Sequence, residues 1–197
     1  MNLIELIKKR RSCRSFNDKE ISDYIINDIL TAGIEAPSSH NAQNYRFLVI
    51  KDKKEIEEYS KFKAPRRLNN SAKVWIVVFS DDTAYGGDMP TGEYKIWSKL
   101  WTQNCAAAIQ NMLLAATYHK VGSCWISFIP EMDNTRLMSK KDARDLFNKY
   151  NIPKTYTVYG LVLLGYTNDV DQDGYPIGDR KHGNREVKRL PIEKYII

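Results

Sequence analysis

Residues 8–16, KKRRSCRSF, form a short basic run whose residue types are suited to binding an anion. Five cationic side chains fall within seven residues, in a chain whose formal net charge is only +6. Arginine guanidinium groups can bind a phosphate through two parallel hydrogen bonds, and a serine hydroxyl can donate one more. Arg10, Arg11, Ser12 and Arg14 are therefore candidate phosphate ligands, although most runs of this kind are solvated charged surfaces.

Two further segments could complete a binding site. The sequence VKRLP places Lys188 and Arg189 far along the chain, and two basic patches that converge on one phosphate would explain why each is short. The segment APSSHNAQN follows a predicted helix and offers hydrogen-bonding side chains, including those of Ser38, Ser39 and Asn41. On its own this segment is equally typical of a polar turn.

Several chemistries lack their usual sequence signals. His40, His119 and His182 are far apart, and none has a Cys or carboxylate at metal-ligand spacing, so we predict no metal site. The patterns of a serine hydrolase, a P-loop and a Rossmann dinucleotide site are also missing. Cys105 lies among alanines on a predicted helix, which favours packing in the core over nucleophilic catalysis.

Composition predicts one soluble globular domain. The chain has 197 residues, 43% hydrophobic and 27% charged, which are ordinary globular values. No uncharged apolar run is long enough to span a membrane. Cys13, Cys105 and Cys124 form no C-x-x-C pair, which favours a reducing cytoplasm. Lysines are scattered along the chain, so the net charge alone does not imply nucleic acid.

Hydrophobic periodicity predicts helices and strands in an α+β order. The first ten residues show a helical stripe, and a second helix follows a Ser22 N-cap and ends before Pro37. Further helices are predicted at KKEIEEYSKF, at residues 94–119 with Gly122 ending the helix, and after a capping box at Ser139 and Asp142. Strands are predicted at YRFLVIK, VWIVVF, SCWISF, TYTVYGLVLLGY and the closing IEKYII. This order is typical of a mixed sheet between helices.

These segments, taken in order, resemble the FMN-dependent nitroreductase family over nearly the whole chain. The resemblance is carried by KRRSCRSF, APSSHNAQNYRFLVI, the long Ala-rich helix, GSCWI, YGLVLLGY and KRLPIEKYI. It implies an α+β nitroreductase-like fold, with a central mixed, mainly antiparallel sheet flanked by helices, in an interlocked homodimer. Residues 1–197 would form one FMN-binding domain, with 167–197 as a C-terminal tail that reaches the partner subunit.

The resemblance also implies which residues bind FMN. The basic run and the pair near the C-terminus would hold the ribityl chain and phosphate, residues 37–41 would reach the flavin from the second subunit, and residues 125–127 would run along the ring. The implied FMN ligands are Arg10, Arg11, Ser12, Arg14, Pro37, Ser38, Ser39, Asn41, Trp125, Ile126, Ser127, Lys188 and Arg189. Asn44 and Tyr45 replace the Pro-Trp of many members and are expected to shape the substrate side of the pocket.

The implied activity is an FMN-dependent reductase that takes hydride from NADH or NADPH and reduces nitroaromatics, quinones or related planar acceptors by a ping-pong mechanism. No catalytic side chain is expected, because hydride chemistry belongs to the flavin. Arg14, Arg66 and Arg67 are candidates to stabilise charge on the reduced ring. Two alternatives stay open: a basic nucleic-acid-binding module that uses the two runs, and a flavin-binding sensor or store without turnover.

Overall fold

An antiparallel four-stranded sheet organises the chain. A computed structural model describes residues 2–60, 71–81, 83, 100–127, 140–178, 189 and 191–196, with residues 140–144 described by their backbone alone. The strands are β1 (Tyr45–Ile50), β2 (Val74–Asp81), β3 (Gly122–Ser127) and β4 (Tyr156–Gly165), in the spatial order β1-β2-β4-β3. All eight residues of β2 are buried, as its continuously apolar sequence predicts for a strand covered on both faces.

The basic run extends this sheet beyond β3. Ser12 forms an isolated parallel bridge with Ser123 of β3, and this bridge gives the antiparallel sheet its mixed character. The expected mainly antiparallel α+β fold is therefore confirmed.

Helices cover both faces of the sheet. They are α1 (Leu3–Lys9), α2 (Asp23–Ile34), α3 (Lys53–Ser60), α4 (Trp101–Tyr118) and α5 (Lys140–Lys149), with short 3-10 turns at Ser39–Asn41 and Ile192–Lys194. Side chains of α2 and α4 pack on one face of the sheet, and side chains of α3 and α5 pack on the other. Ser22 caps α2 as predicted, because its side chain accepts a hydrogen bond from the Ile25 amide. None of the described helices has the length and apolar character that a bilayer span requires.

Two predicted details are wrong. Helix α4 ends at Tyr118, and Lys120 takes the left-handed conformation at φ 59°, so Gly122 does not end the helix but begins β3. The closing segment was expected to be strand-like, but its described part contains the 3-10 turn Ile192–Lys194. The predicted helix start at residues 94–99, and the capping box at Ser139, lie outside the described residues.

Candidate functional site

The basic run is fixed between the end of α1 and the edge of the sheet. The Cys13 amide donates to the Ser123 carbonyl at 2.8 Å, and the Asn17 amide donates to the Tyr166 carbonyl at 2.7 Å. These bonds hold the run on both sides of Arg14, which is itself half-buried. The backbone that carries the predicted phosphate ligands is therefore well ordered by its neighbours.

Lys9 and Arg11 of the run have structural partners. Lys9 Nζ lies 2.5 Å from Asp171 Oδ2 and 3.2 Å from Asp173 Oδ2, which ties the end of α1 to the turn after β4. Arg11 Nη1 donates to the carbonyls of Lys8 at 2.5 Å and Arg10 at 2.9 Å. It thus satisfies carbonyl groups that the end of a helix leaves without intrahelical partners.

Arg10 is different, because the neighbouring side chains with the largest electrostatic effect on it are cations, while the Cys13 and Cys124 thiols act more weakly in the opposite direction. Burial lowers the pKa of its guanidinium, and the positive charges of Arg11 and then Arg189 lower it further. Within the described residues, no carboxylate forms an ion pair with Arg10. The structure thus brings the exposed Arg189 near Arg10 from the far end of the chain, while Lys188 lies outside the described residues. A half-buried cation cluster of this kind is stabilised by a bound anion.

Beside this cluster, strand β3 presents buried donors that have no partner in the described part of the chain. The Ser123 hydroxyl is one of them, in a residue that is only 1% exposed, and the Trp125 indole N–H is another. Ser12 lies opposite Ser123 in the parallel bridge. Unpaired buried donors are rare in proteins. Both atoms are enclosed by the protein, and the Trp125 indole N–H lies against Gly160. Along the same strand, Trp125 and Ile126 are half-buried and Ser127 is exposed.

The polar loop, residues 38–43, has an unusual backbone. His40, Asn41 and Gln43 have φ values of 50°, 53° and 45°, which is the left-handed region that non-glycine residues seldom adopt. Each costs about 1 kcal/mol relative to ordinary conformations. Pro37, directly before the loop, and Asn41 are exposed, and Ser38 and Ser39 are half-buried. Three predicted ligands therefore lie in this strained surface loop, and the fourth adjoins it. Strain of this kind concentrates at binding sites.

The polar loop and the basic run lie at opposite edges of the sheet. The loop leads into β1, which forms one edge, whereas the run pairs with β3 at the other. Four strand spacings of about 4.8 Å separate these edges, or about 19 Å in all. Within one chain, the structure therefore does not bring residues 38–41 together with Arg10 and Ser12.

Asn44 and Tyr45, expected on the substrate side of the pocket, are buried. Asn44 is 0% exposed, and its side-chain amide donates to Ser80 Oγ at 2.9 Å. The Tyr45 hydroxyl donates to the carbonyls of Ile34 at 2.8 Å and Ala36 at 2.9 Å. Both side chains thus have hydrogen-bond partners within their own chain, although Tyr45 also lines a surface cavity with Gln43 and Arg46, and their role on the substrate side stays a prediction.

Sequence reasoning missed Ser123 and Asn104, the second of which accepts a hydrogen bond from the Ser39 amide at 3.0 Å. Asn104 was detectable as a polar residue on the mainly apolar buried face of α4, which also carries Thr117. Arg66 and Arg67, proposed to stabilise the reduced ring, lie outside the described residues. Cys105 is fully buried in the core, as predicted.

The histidines show no arrangement for metal binding in the described structure. His119 Nε2 lies 2.9 Å from Asp28 Oδ2, which is the hydrogen-bonded role expected for it. His40 is exposed on the polar loop, and His182 lies outside the described residues. Across the described ranges, no three His, Cys, Asp or Glu side chains are grouped as metal ligands would be.

Comparisons with known proteins agree with this geometry. The model of the nitroreductase family matches residues 7–83 and 70–166. A protein from Archaeoglobus fulgidus, provisionally named NADH dehydrogenase/NAD(P)H nitroreductase, is 32% identical over 184 residues, which is 92% of this chain and 94% of that protein. A similarly named protein from Methanothermobacter thermautotrophicus is 29% identical over 166 residues, 84% of this chain and 78% of its own.

A solved structure from Desulfovibrio desulfuricans, provisionally named a nitroreductase and determined in complex with FMN, has a TM-score of 0.67 and 25% identity. The match covers 100% of this chain and 96% of that one. Since both a family model and a relative of matching length cover most of the sequence, the chain belongs to the nitroreductase family.

Proposed function

We propose that this chain is an FMN-dependent oxidoreductase that takes hydride from NADH or NADPH and reduces nitroaromatics, quinones or related planar acceptors by a ping-pong mechanism. The observation that carries the proposal is Arg10, a half-buried arginine beside Arg11 and Arg189 with no carboxylate partner in the described structure. Membership of the nitroreductase family and the FMN complex of the Desulfovibrio desulfuricans protein support the choice of FMN as the anion.

In this proposal the basic run binds the phosphate end of the cofactor. Arg10, Ser12 and Arg14 would donate to the phosphate and ribityl oxygens, with Lys188 and Arg189 completing the clamp from the C-terminal side. Arg11 would contribute its charge, while its Nη1 holds the end of α1. Guanidinium groups suit this task because they stay charged when partly buried.

Strand β3 would lie along the cofactor through residues 125–127. FMN, when bound, supplies the electron transfer, so the chain's own residues bind it, orient it and limit access of competing reactants. The half-buried side chains of Trp125 and Ile126 and the exposed Ser127 support this placement, because they leave part of the strand open to a ligand.

We further propose that the working unit is a homodimer with FMN at the subunit interface. Pro37, Ser38, Ser39 and Asn41 would reach the cofactor from the second subunit. The width of the sheet supports this, since about 19 Å separates the polar loop from the basic run in one chain. The exposed apolar residues Ile192, Tyr195 and Ile196 support a tail, within 167–197, that packs on the partner.

The first test is the visible absorbance spectrum of the purified protein after incubation with FMN and removal of excess. We expect a flavin spectrum that bleaches when NADH or NADPH is added without oxygen, and the two donors are compared by rate. A protein that retains no FMN would refute the proposal. Retained flavin that neither donor reduces would leave a binding protein rather than a reductase.

The clamp is tested by measuring FMN affinity in Arg10→Ala and Arg189→Ala. Each variant removes hydrogen bonds to a charged group, worth about 1.5–3 kcal/mol, so affinity should fall about 10- to 150-fold. Lys8→Ala is the matched control, because it removes a charge from the same run at an exposed position. An equal loss in the control would indicate general electrostatic attraction, and unchanged affinity in both arginine variants would remove the clamp assignment.

A further inference from the structure

We propose that Asn104 and Asn44 are positioning residues that hold the polar loop in the conformation that binds the flavin. This inference rests on the proposed function for its ligand, but the hydrogen bonds that carry it belong to the chain itself. Four groups form a continuous amide relay: the Ser39 backbone, the Asn104 side chain, the Asn44 side chain and the Ser80 hydroxyl. The relay runs from the strained loop to the end of β2.

Hydrogen-bond chemistry fixes the direction of the relay. The Ser39 amide can only donate, so Asn104 accepts with Oδ1 at 3.0 Å. Asn104 Nδ2 then donates to Asn44 Oδ1 at 2.8 Å, and Asn44 Nδ2 donates to Ser80 Oγ at 2.9 Å. Each amide therefore uses one donor and one acceptor within the relay. Loss of either asparagine would leave one side-chain group of the other without its partner in the relay: Asn44 Oδ1 in one case and Asn104 Nδ2 in the other.

Burial makes these bonds decisive. Asn44 and Ser80 are 0% exposed and Asn104 is 5% exposed, so water does not readily replace a lost partner. Buried amides whose partners are removed are strongly unfavourable, whereas a fully satisfied network defines one arrangement. The Asp81 amide also donates to the Asn44 carbonyl at 2.7 Å, which fixes Asn44 to β2 through its backbone. The Asn44 end of the relay is therefore fixed to the sheet.

The bond from the Ser39 amide to Asn104 ties the polar loop to α4, whereas several of its other hydrogen bonds run within the loop itself or come from Arg46. Gln43 makes two bonds within the loop, from its amide to Ser38 Oγ at 2.9 Å and from Nε2 to Asn41 Oδ1 at 3.0 Å. Ala42 is the loop's buried side chain, while Asn41 and Gln43 are exposed. A loop with three left-handed residues would relax without a fixed point. The Ser39 bond to Asn104 supplies that point on α4.

The decisive variant is Asn104→Leu, which has a similar size but can neither accept from Ser39 nor donate to Asn44. We expect amide hydrogen exchange in residues 38–43 to accelerate at least about tenfold, because the Ser39 amide loses its acceptor. FMN affinity should fall about tenfold, and the absorbance maxima of the bound flavin should shift. The shift matters because a change in overall stability alone would not alter the environment of bound flavin.

Thr117→Val is the matched control. Thr117 lies on the same helix, is 3% exposed, and donates from its hydroxyl to the Leu113 carbonyl at 2.8 Å. The substitution removes one buried hydrogen bond about 20 Å from Asn104 along the helix axis. It should destabilise the fold without changing loop exchange, FMN affinity or the flavin spectrum.

Asn104→Asp tests rescue. Its carboxyl group can still accept from the Ser39 amide, and the Asn44 amide can rotate so that Nδ2 donates to the new side chain. The Ser80 hydroxyl can then donate to Asn44 Oδ1, so the relay stays continuous, with the two bonds of Asn44 reversed and the Ser39 bond unchanged in direction. We expect this variant to retain loop protection and FMN affinity within about threefold of the original chain.

The outcomes are separable. If Asn104→Leu matches Thr117→Val in loop exchange and FMN affinity, the positioning role is overturned. If the original chain binds no FMN, the proposed function fails, while loop exchange still decides whether the relay fixes the loop. If Asn104→Leu does not fold, Asn104→Ser provides the same test, because the serine side chain is too short to reach both the Ser39 amide and Asn44. Protection of residues 38–43 that is unchanged in the serine variant would equally overturn the relay.

Discussion

Gly165→Ala is a sharp test of how the basic run is fixed to the sheet. Gly165 ends β4, and the ring of Phe16, the last residue of the run, packs against its Cα. A Cβ at this position would lie 2.7 Å from Phe16 Cγ and Cδ1 and 2.8 Å from Phe16 Cβ. These distances are about 0.8 Å short of a normal carbon contact. Since one of the atoms is Phe16 Cβ, rotation of the ring alone cannot relieve the clash.

The expected cost follows from this overlap. Overpacking of a buried contact costs about 1–3 kcal/mol, and the lower chain entropy of alanine offsets roughly 0.5 kcal/mol. We therefore expect the free energy of unfolding to fall by about 0.5–2.5 kcal/mol, or about 1–10 °C in Tm for a chain of this size. Thermal unfolding followed by circular dichroism measures the shift. FMN affinity should fall as well, because Phe16 is only two residues from Arg14.

A double-mutant cycle decides whether the clash is the cause. Phe16→Ala alone leaves a cavity and should cost about 3 kcal/mol or more. In the double variant the methyl group introduced at position 165 enters space that the ring has vacated, so the two costs should not add. We expect the double variant to be more stable than the sum predicts by at least about 1 kcal/mol. Additive costs within about 0.5 kcal/mol would refute the reasoning.

Two further predictions concern assembly and pH. A mixed dimer of an Arg10→Ala chain and an Asn104→Leu chain should bind one FMN tightly, half as much as the original dimer. If each site combines the basic run of one chain with the polar loop of the other, one of the two sites carries both changes and the other carries neither. Mixed dimers without a tight site would place each site within one chain. Glu55 accepts hydrogen bonds from Lys149 at 2.8 Å and from the Tyr150 hydroxyl, and although burial raises its pKa, these bonds lower it below the ordinary 4.5. Glu55→Gln should therefore lower the free energy of unfolding by about 1.5 kcal/mol at pH 7. In urea titrations this difference between the two proteins should shrink below about pH 4.5, because the original carboxylate becomes protonated. A stability difference that does not depend on pH would contradict this prediction.

The elements of the fold were largely predictable because their signals are local. Periodicity identified the four described strands and the buried face of α4, and the N-cap of α2 was visible in Ser22. The predicted end of α4 is right to within one residue, but the role given to Gly122 is wrong, because this glycine serves a distant contact. A Cβ there would lie 3.0 Å from the Gly165 carbonyl and 3.1 Å from Cys13 Cβ, so glycine lets the basic run approach β3. A residue required by its neighbours in space cannot be distinguished in sequence from one required by a turn.

The two parts of the candidate site, the basic run and the polar loop, also differ in how much of their role the sequence reveals. The basic run was recognisable from its composition, but composition does not reveal that Lys9 pairs with Asp171, 162 positions away, whereas Arg10 meets Arg189. The role of Asn104 is harder to predict from the sequence, because a polar residue within an apolar stripe has no evident function until its hydrogen-bond partners are known. A buried asparagine lowers stability unless each of its groups is satisfied, so its place in the core requires a compensating role. Here the Ser39 amide and Asn44 supply the partners, and the strained loop that they hold supplies the role. Polar residues on the buried face of a helix are therefore better guides to this half of the site than the exposed side chains of the loop itself.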